Sequence, residues 1–132
     1  MARLLDNLTT YLIAQGVCTK AGKDIFIGML PEKQDNALKL EQTGGLEPDR
    51  YLPIEQPTVQ VMVRNTSYPD GLDKAKAVYD ALHRKGDDTV LASGGVDMMT
   101  CFAIQEPFHL GLDENNRHLF VVNFVFKLRG ND

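Results

Sequence analysis

Apolar residues recur along this chain in two rhythms. Over residues 118–128 they alternate: Phe120, Val122, Phe124, Phe126 and Leu128 fall on one side of an extended backbone, and Leu119, Val121, Asn123, Val125 and Lys127 on the other. Side chains of a strand point to its two faces in turn, so the first set is core. The second set is half apolar, more than a solvated face needs, and reads as a surface for contact with another protein. Residues 58–64 repeat the pattern, with Val59, Val61 and Val63 opposite Gln60, Met62 and Arg64. Residues 36–42 do so again, with Leu38 and Leu40 opposite Lys39 and Glu41. Two apolar runs complete the strands. Residues 24–29 read as a short buried strand that Pro31 ends. Residues 96–106, with Met98, Met99, Phe102, Ala103 and Ile104, are apolar on both faces, as a central strand is.

The other rhythm is helical. Over residues 3–15, Leu5, Leu8 and Leu12 form a stripe flanked by Leu4 and Tyr11, and Gly16 suits the position just past the helix end. A second helix carries Leu72, Ala75, Val78 and Leu82, with Tyr79 beside them. Ser67 or Asp70 caps it, Asp70 and Asp73 resemble a capping box, and Gly86 stops it. Ala75, Ala77 and Ala81 are small enough to let this helix approach a sheet. Between the elements lie a long loop at 43–57, rich in Gly and Pro, a second loop at 87–95, and a turn at 113–116 where Asn tolerates left-handed backbone. The order is α-β-β-β-α-β-β. The expectation is one α+β domain over residues 1–132, with a mixed, mostly antiparallel sheet of four to five strands. Two helices are too few to cover both faces, so they share one and leave the other for solvent or a neighbouring subunit.

Composition narrows the function. The 132 residues are 43% hydrophobic and 24% charged, with net charge −4 and no Trp, which is a globular composition with ample core. No basic face stands out for nucleic acid. The densest basic spot, His83-Arg84-Lys85, sits where a helix ends and offsets its dipole. Cys18 and Cys101 are far apart without metal or redox spacing and read as buried, reduced thiols, Cys101 an inert one in a mid-strand apolar stretch. The N-terminal segment is neither a signal peptide nor a membrane span. His83, His109 and His118 form no ligand motif; His118 with Asp113 or Glu114 is the nearest approach to a metal set. Ser93 lies in no nucleophile elbow, Gly94-Gly95 begins no phosphate loop, and Asp87-Asp88 is a solvated turn. The expectation is no catalytic residue, no cofactor and no metal: a structural or interaction protein, not an enzyme.

Three stretches taken together carry a resemblance. LLDNLTTYLIAQGV (residues 4–17), PTVQVMVRNTSYPDGLDKAKAVYDALH (57–83) and DENNRHLFVVNFVFKL (113–128) are similar to segments of the minor capsid and tail-completion proteins of long-tailed bacteriophages, which include tail terminators. Singly, each stretch is only a helix or a strand; the loops at 43–57 and 86–95 are least diagnostic. The resemblance implies a virion component at the head–tail junction, assembled in the bacterial host cytoplasm. Such a protein caps the tail tube, docks it to the head and works as a ring, usually of six. Its partners are copies of itself, the tail tube protein and head connector proteins, with no membrane involved. The strand–turn–helix unit at 59–88 then serves as a rigid wedge in that ring.

A closed ring joins two different patches of each subunit. Val121, Asn123 and Val125 on the second face of the last strand are one candidate patch. Arg64, Asn65 and Tyr68 at the end of the central strand are a second. A third is the outer face of the second helix, through Lys74, Tyr79 and Asp80. DNA passes through such a ring without specific binding, so a neutral or acidic lumen is expected, with Glu47, Asp49, Tyr51 and Glu55 of the long loop as lumen or partner residues. Three other readings compete. A head-completion protein on the capsid side is the nearest. A small ligand-binding or enzymatic domain requires a deep polar pocket. A host adaptor acts as a monomer.

Overall fold

The computed structural model describes residues 4–46, 54–83, 85–86 and 98–129. Helix α1 (Leu4–Ala14) leads into strands β1 (Ile25–Ile27), β2 (Ala37–Gln42), β3 (Ile54–Glu55) and β4 (Thr58–Asn65). Helix α2 (Tyr68–Leu82) follows, then β5 (Lys85–Gly86), β6 (Met98–Ala103), β7 (Phe108–Leu112) and β8 (His118–Arg129). The strands form one mixed sheet in the order β1-β2-β4-β8-β6-β5, with β3 and β7 also paired to β8. The β1–β2 pair is parallel and the other described pairs are antiparallel. The α+β class and the five expected strands are present. Beyond them, β3 and β5 have two residues each, too short for any period to show, and β7 occupies the lead-in to the turn.

Strand β8 is the spine. Strand β4 pairs with its residues 118–125 on one side, and β3 continues that side at Leu128 and Arg129. On the other side β7 takes the first part and β6 the second. The strand expected to be central from its two apolar faces, β6, therefore lies nearer the edge, and Phe102 is exposed.

One face of the sheet is core. Leu38, Val63 and Phe120 stand in register across three strands, as do Leu40, Val61 and Val122. Both helices bury their apolar sides against this face in a single cluster. In α1 the buried set is Leu4, Leu8, Tyr11 and Leu12, with Leu5 only partly covered, so the stripe is turned slightly from the Leu5–Leu8–Leu12 line. The Tyr11 hydroxyl donates to the carbonyl of Ala81 at 2.9 Å and ties the helices together. At the end of α1 the amides of Gly16 and Val17 reach back to Ile13 and Leu12, with Gly16 at φ 80°. This 5→2 and 6→1 closure needs the left-handed backbone that glycine adopts without strain.

Ser67 caps α2: its Oγ accepts the amide of Asp70 at 3.4 Å. Asp70 thus lies inside the first turn, and the Asp70–Asp73 capping box does not form. The helix ends at Leu82, before Gly86, with extended backbone at His83. The His83 ring supplies the reason. Its Nδ1 accepts the amide of Ala103 at 3.0 Å, which commits the chain to the sheet. Within α2, a Cβ on Gly71 would lie 2.6 Å from the Phe120 ring, so the missing side chain is what lets the helix lie directly on that phenyl group.

Strand β1 is not buried throughout. Ile25 is covered, whereas Ile27 and the following Met29 are exposed. The loops around Asp87, Asp88, Ser93, Gly94 and Gly95, and the side chains of Met98 and Met99, lie outside the described residues.

Candidate functional site

The sheet face away from the helices sets the site. Strand alternation places Arg64, Leu119, Val121, Asn123, Val125, Phe102 and Phe108 on it, in register Val121↔Met62, Val121↔Phe108 and Val125↔Phe102. Its β4 side and its β6–β7 side differ.

Beside β4 it is closed by the segment of residues 31–35, held by two buried arginines. Arg64 donates to the carbonyls of Pro31 and Gln34. Arg117 donates to the Glu32 carbonyl at 2.8 Å, and it pairs with Asp113 at 2.8 Å, Glu32 at 3.2 Å and Asp35 at 3.4 Å. Asp113 also accepts the amides of Asn115 and Arg117, which shapes the β7–β8 turn with Asn116 at φ 60°. Burial opposes ionisation of Asp113, but these hydrogen bonds and the Arg117 charge hold its carboxyl below the usual carboxylate range. Burial likewise works against the Arg117 charge, and the contacts to Asp113 and Glu32 outweigh it and raise its pKa. Arg64 is lowered, first by burial and then by the nearby Arg117 charge, and its Nε has no partner among the described residues.

The β6–β7 side is open and apolar, and β7 runs up to the clasp itself, with Leu112 opposite His118. Phe102, Ile104, Phe108, Leu110 and Leu112 are between 41% and 57% exposed, within eleven residues of sequence. Val121, opposite Phe108, is 2% exposed. Ile104 is held opposite Asn123 by its amide, which donates to the Asn123 carbonyl at 2.7 Å. The pair Val121 and Val125 therefore forms the floor of an apolar patch whose exposed surface comes from β6 and β7. The sequence carried a signal for this wall. Residues 102, 104 and 108 keep a period of two that Glu106 interrupts, and a register shift between His109 and Gly111 then turns Leu112 to the side of His118 and Phe120.

The expected contact residues fall into separate groups. Val121, Asn123 and Val125 share the open face with Arg64, which is buried under the 31–35 segment. Asn65 accepts the Ser67 amide at 2.9 Å and so helps begin α2. Tyr68 is exposed and packs edge-on to His109, His118 and Phe120. On the helix side, Lys74 donates to the Val17 carbonyl, and Tyr79 stacks on His83. Tyr79 and Asp80 line a cleft of about 290 Å³ with Lys76, Glu106 and Pro107. Glu55 is exposed on β3. Glu47, Asp49 and Tyr51 lie outside the described residues.

Reactive groups are occupied or shielded. His118 Nδ1 meets His109 Nε2 at 3.1 Å, while Asp113 is taken by Arg117. Among the described residues no three His, Cys, Asp or Glu side chains cluster to hold a metal. Burial pushes the Cys18 thiol up to about 11, with the Asp24 charge adding to it, and burial raises Cys101 further still. Burial thus disfavours, at both positions, the thiolate that nucleophilic attack requires. No described helix is long and apolar enough to cross a membrane.

No curated protein matches the chain in sequence. Among solved structures it is similar to a chain in the virion of a native gene transfer agent particle, with a TM-score of 0.66 at 15% identity, covering 95% of this chain and 90% of that one. At that identity the likeness is one of fold. The family model for the bacteriophage tail terminator protein matches residues 11–129, from within α1 to the last residue of β8. This chain therefore belongs to the bacteriophage tail terminator family.

Proposed function

We propose that the protein closes into a ring, of six copies by resemblance to its family, that caps the tail tube at the head–tail junction and docks the finished tail to the head. The family match over residues 11–129 carries this reading. It makes the chain a structural virion protein that acts among other virion proteins and sets it with proteins that are not enzymes. The apolar open β6–β7 side of the sheet supports the finer part. A patch of this kind on a small soluble domain is a place where another protein sits. Val121, Asn123 and Val125 contribute its floor. Tyr68 and the Lys74, Tyr79 and Asp80 face of α2 stand as further contact surfaces.

The bore of the ring is neutral or acidic, in keeping with the net charge of −4, so that DNA passes without being gripped. The long loop with Glu47, Asp49, Tyr51 and Glu55 lines it or meets a partner. Assembly takes place in the host cytoplasm. Electron microscopy of phage tails made with and without the protein tests the reading. Over-long or headless tails in its absence are expected. Normal tails beside leaking, DNA-free capsids would overturn termination and assign the protein to head completion. Pull-down with the tail tube protein, against pull-down with connector protein, separates the same two outcomes.

A further inference from the structure

We infer that the contact between neighbouring copies joins opposite edges of the sheet: the β6–β7 strip of one chain, through Phe108 and Leu110, receives Ile27 and Met29 of the next. The inference rests on the ring reading above and gives that ring its seam.

Position is the first ground. Strand β1 ends the sheet on one side, and β7 flanks β8 on the other. A contact between unlike edges repeats head to tail and closes when its rotation fits, whereas a contact between like edges stops at a dimer. Exposure is the second ground. Met29 is 65% exposed and Ile27 is open beside it, and both lie far along the sheet from the other exposed apolar strip. Backbone is the third. Among the described residues β7 pairs with β8 alone, so its outer edge keeps free donors and acceptors. The β1 edge is partly closed by its own turn, where Gly22 donates to the Ile25 carbonyl at 3.0 Å, so the seam there is made mainly by side chains.

Charge decides which edge meets which. Glu106 and Glu114 bracket β7, are exposed and form no ion pair among the described residues. Near β1 the carboxylates are already engaged. Asp24 accepts the amides of Thr19 and Lys20, and Glu32 and Asp35 hold Arg117. Lys20 and Lys23 are left exposed and without an ion pair among the described residues. The unspent charge is negative beside the β7 strip and positive beside Ile27. Strip against strip would set Glu106 and Glu114 against their own copies, which disfavours a symmetric dimer.

Cysteine pairs test the seam, because Cys18 and Cys101 are both buried and leave engineered thiols as the reactive ones. The chain carrying both Met29→Cys and Leu110→Cys is oxidised at high concentration and on terminator-free tails. A ladder of covalent multimers is expected from it. Each single variant is expected to stay monomeric, and the two single variants mixed should give only a dimer. Dimers from Leu110→Cys alone would overturn the proposal in favour of a symmetric contact. Rings on tails of normal length with no cross-link would overturn the seam and leave the terminator reading standing. Tails that the unaltered protein fails to cap would remove the terminator reading itself. As a second variant, Glu106→Lys with Glu114→Lys should lower assembly on tails at least about tenfold in low salt, and Lys20→Glu with Lys23→Glu should restore it. Failure of the double exchange to recover assembly counts against the seam.

Discussion

Phe124 and Val125 are neighbours on β8 and point to opposite sides of the sheet. Phe124 is sealed beneath the helices, while Val125 forms the floor of an open patch with Phe102 beside it. Both faces are apolar, yet one is finished by this chain and the other is not. The difference lies in what covers them. Two helices supply enough apolar surface for one face. The 31–35 segment closes the Arg64 side of the second face with polar contacts, and the β6–β7 side stays exposed. Hydrophobic residues thus serve stability on one side of β8 and, in the ring proposed above, recognition on the other.

Substitutions separate the two roles. Phe124→Ala should cost about 3–5 kcal/mol, the usual penalty for emptying a buried phenyl site, read as a fall in the urea midpoint. A near-zero change would mean that the helix-covered face is not the core. Gly71→Ala comes next. It places a methyl group 2.6 Å from the Phe120 ring, and overpacking of this kind costs about 1–3 kcal/mol. A neutral result would show that α2 can lift from the sheet without loss.

Acid should act on the polar clasps. Asp24 is held below the usual carboxylate range: burial opposes this, but the amides of Lys20 and Thr19, the Thr19 hydroxyl and the Lys74 charge outweigh it. Asp113 is lowered in the same sense by Arg117 and its own turn. A carboxyl lowered in the folded state contributes stability that is full above its unfolded pKa, about 3.9, and is lost as pH falls through the folded value. Stability should thus hold from pH 7 to about 5 and decline below about 4. Asp24→Asn and Asp113→Asn should each flatten that decline in urea titrations. The smallest stability effect belongs to the open face. Leu110→Ser should change unfolding free energy by less than about 1 kcal/mol while impairing attachment to tails. Equal damage to folding and attachment would erase the distinction between the faces.

The helix-covered half was plain in the sequence. Strict alternation in β8, β4 and β2 marks residues that a continuous core requires, and the helical spacing in α2 does the same. The open half was legible only in part. Val121 and Val125 stood out because they share a strand with the core residues. Phe102 and Ile104 did not, because a strand apolar on both faces looks the same whether one face is covered or open, and Phe108 lay beyond the strand expected at 96–106. The arginine clasps were hidden for another reason. Arg64 sits at a strand end and Arg117 in a turn, where charged side chains are ordinarily solvated, and only the fold brings the 31–35 segment within their reach. The end of α2 was misplaced at Gly86 because the tie from His83 to Ala103 joins residues twenty apart.

The clasped segment also gives the molecule a direction. A domain whose outer surface was alike on both sides would be indifferent to which way it was mounted. Here guanidinium groups lock the β4 side in polar contacts, and the β6–β7 side presents bare side chains. In the ring proposed above, copies that all face the same way give its two rims different surfaces.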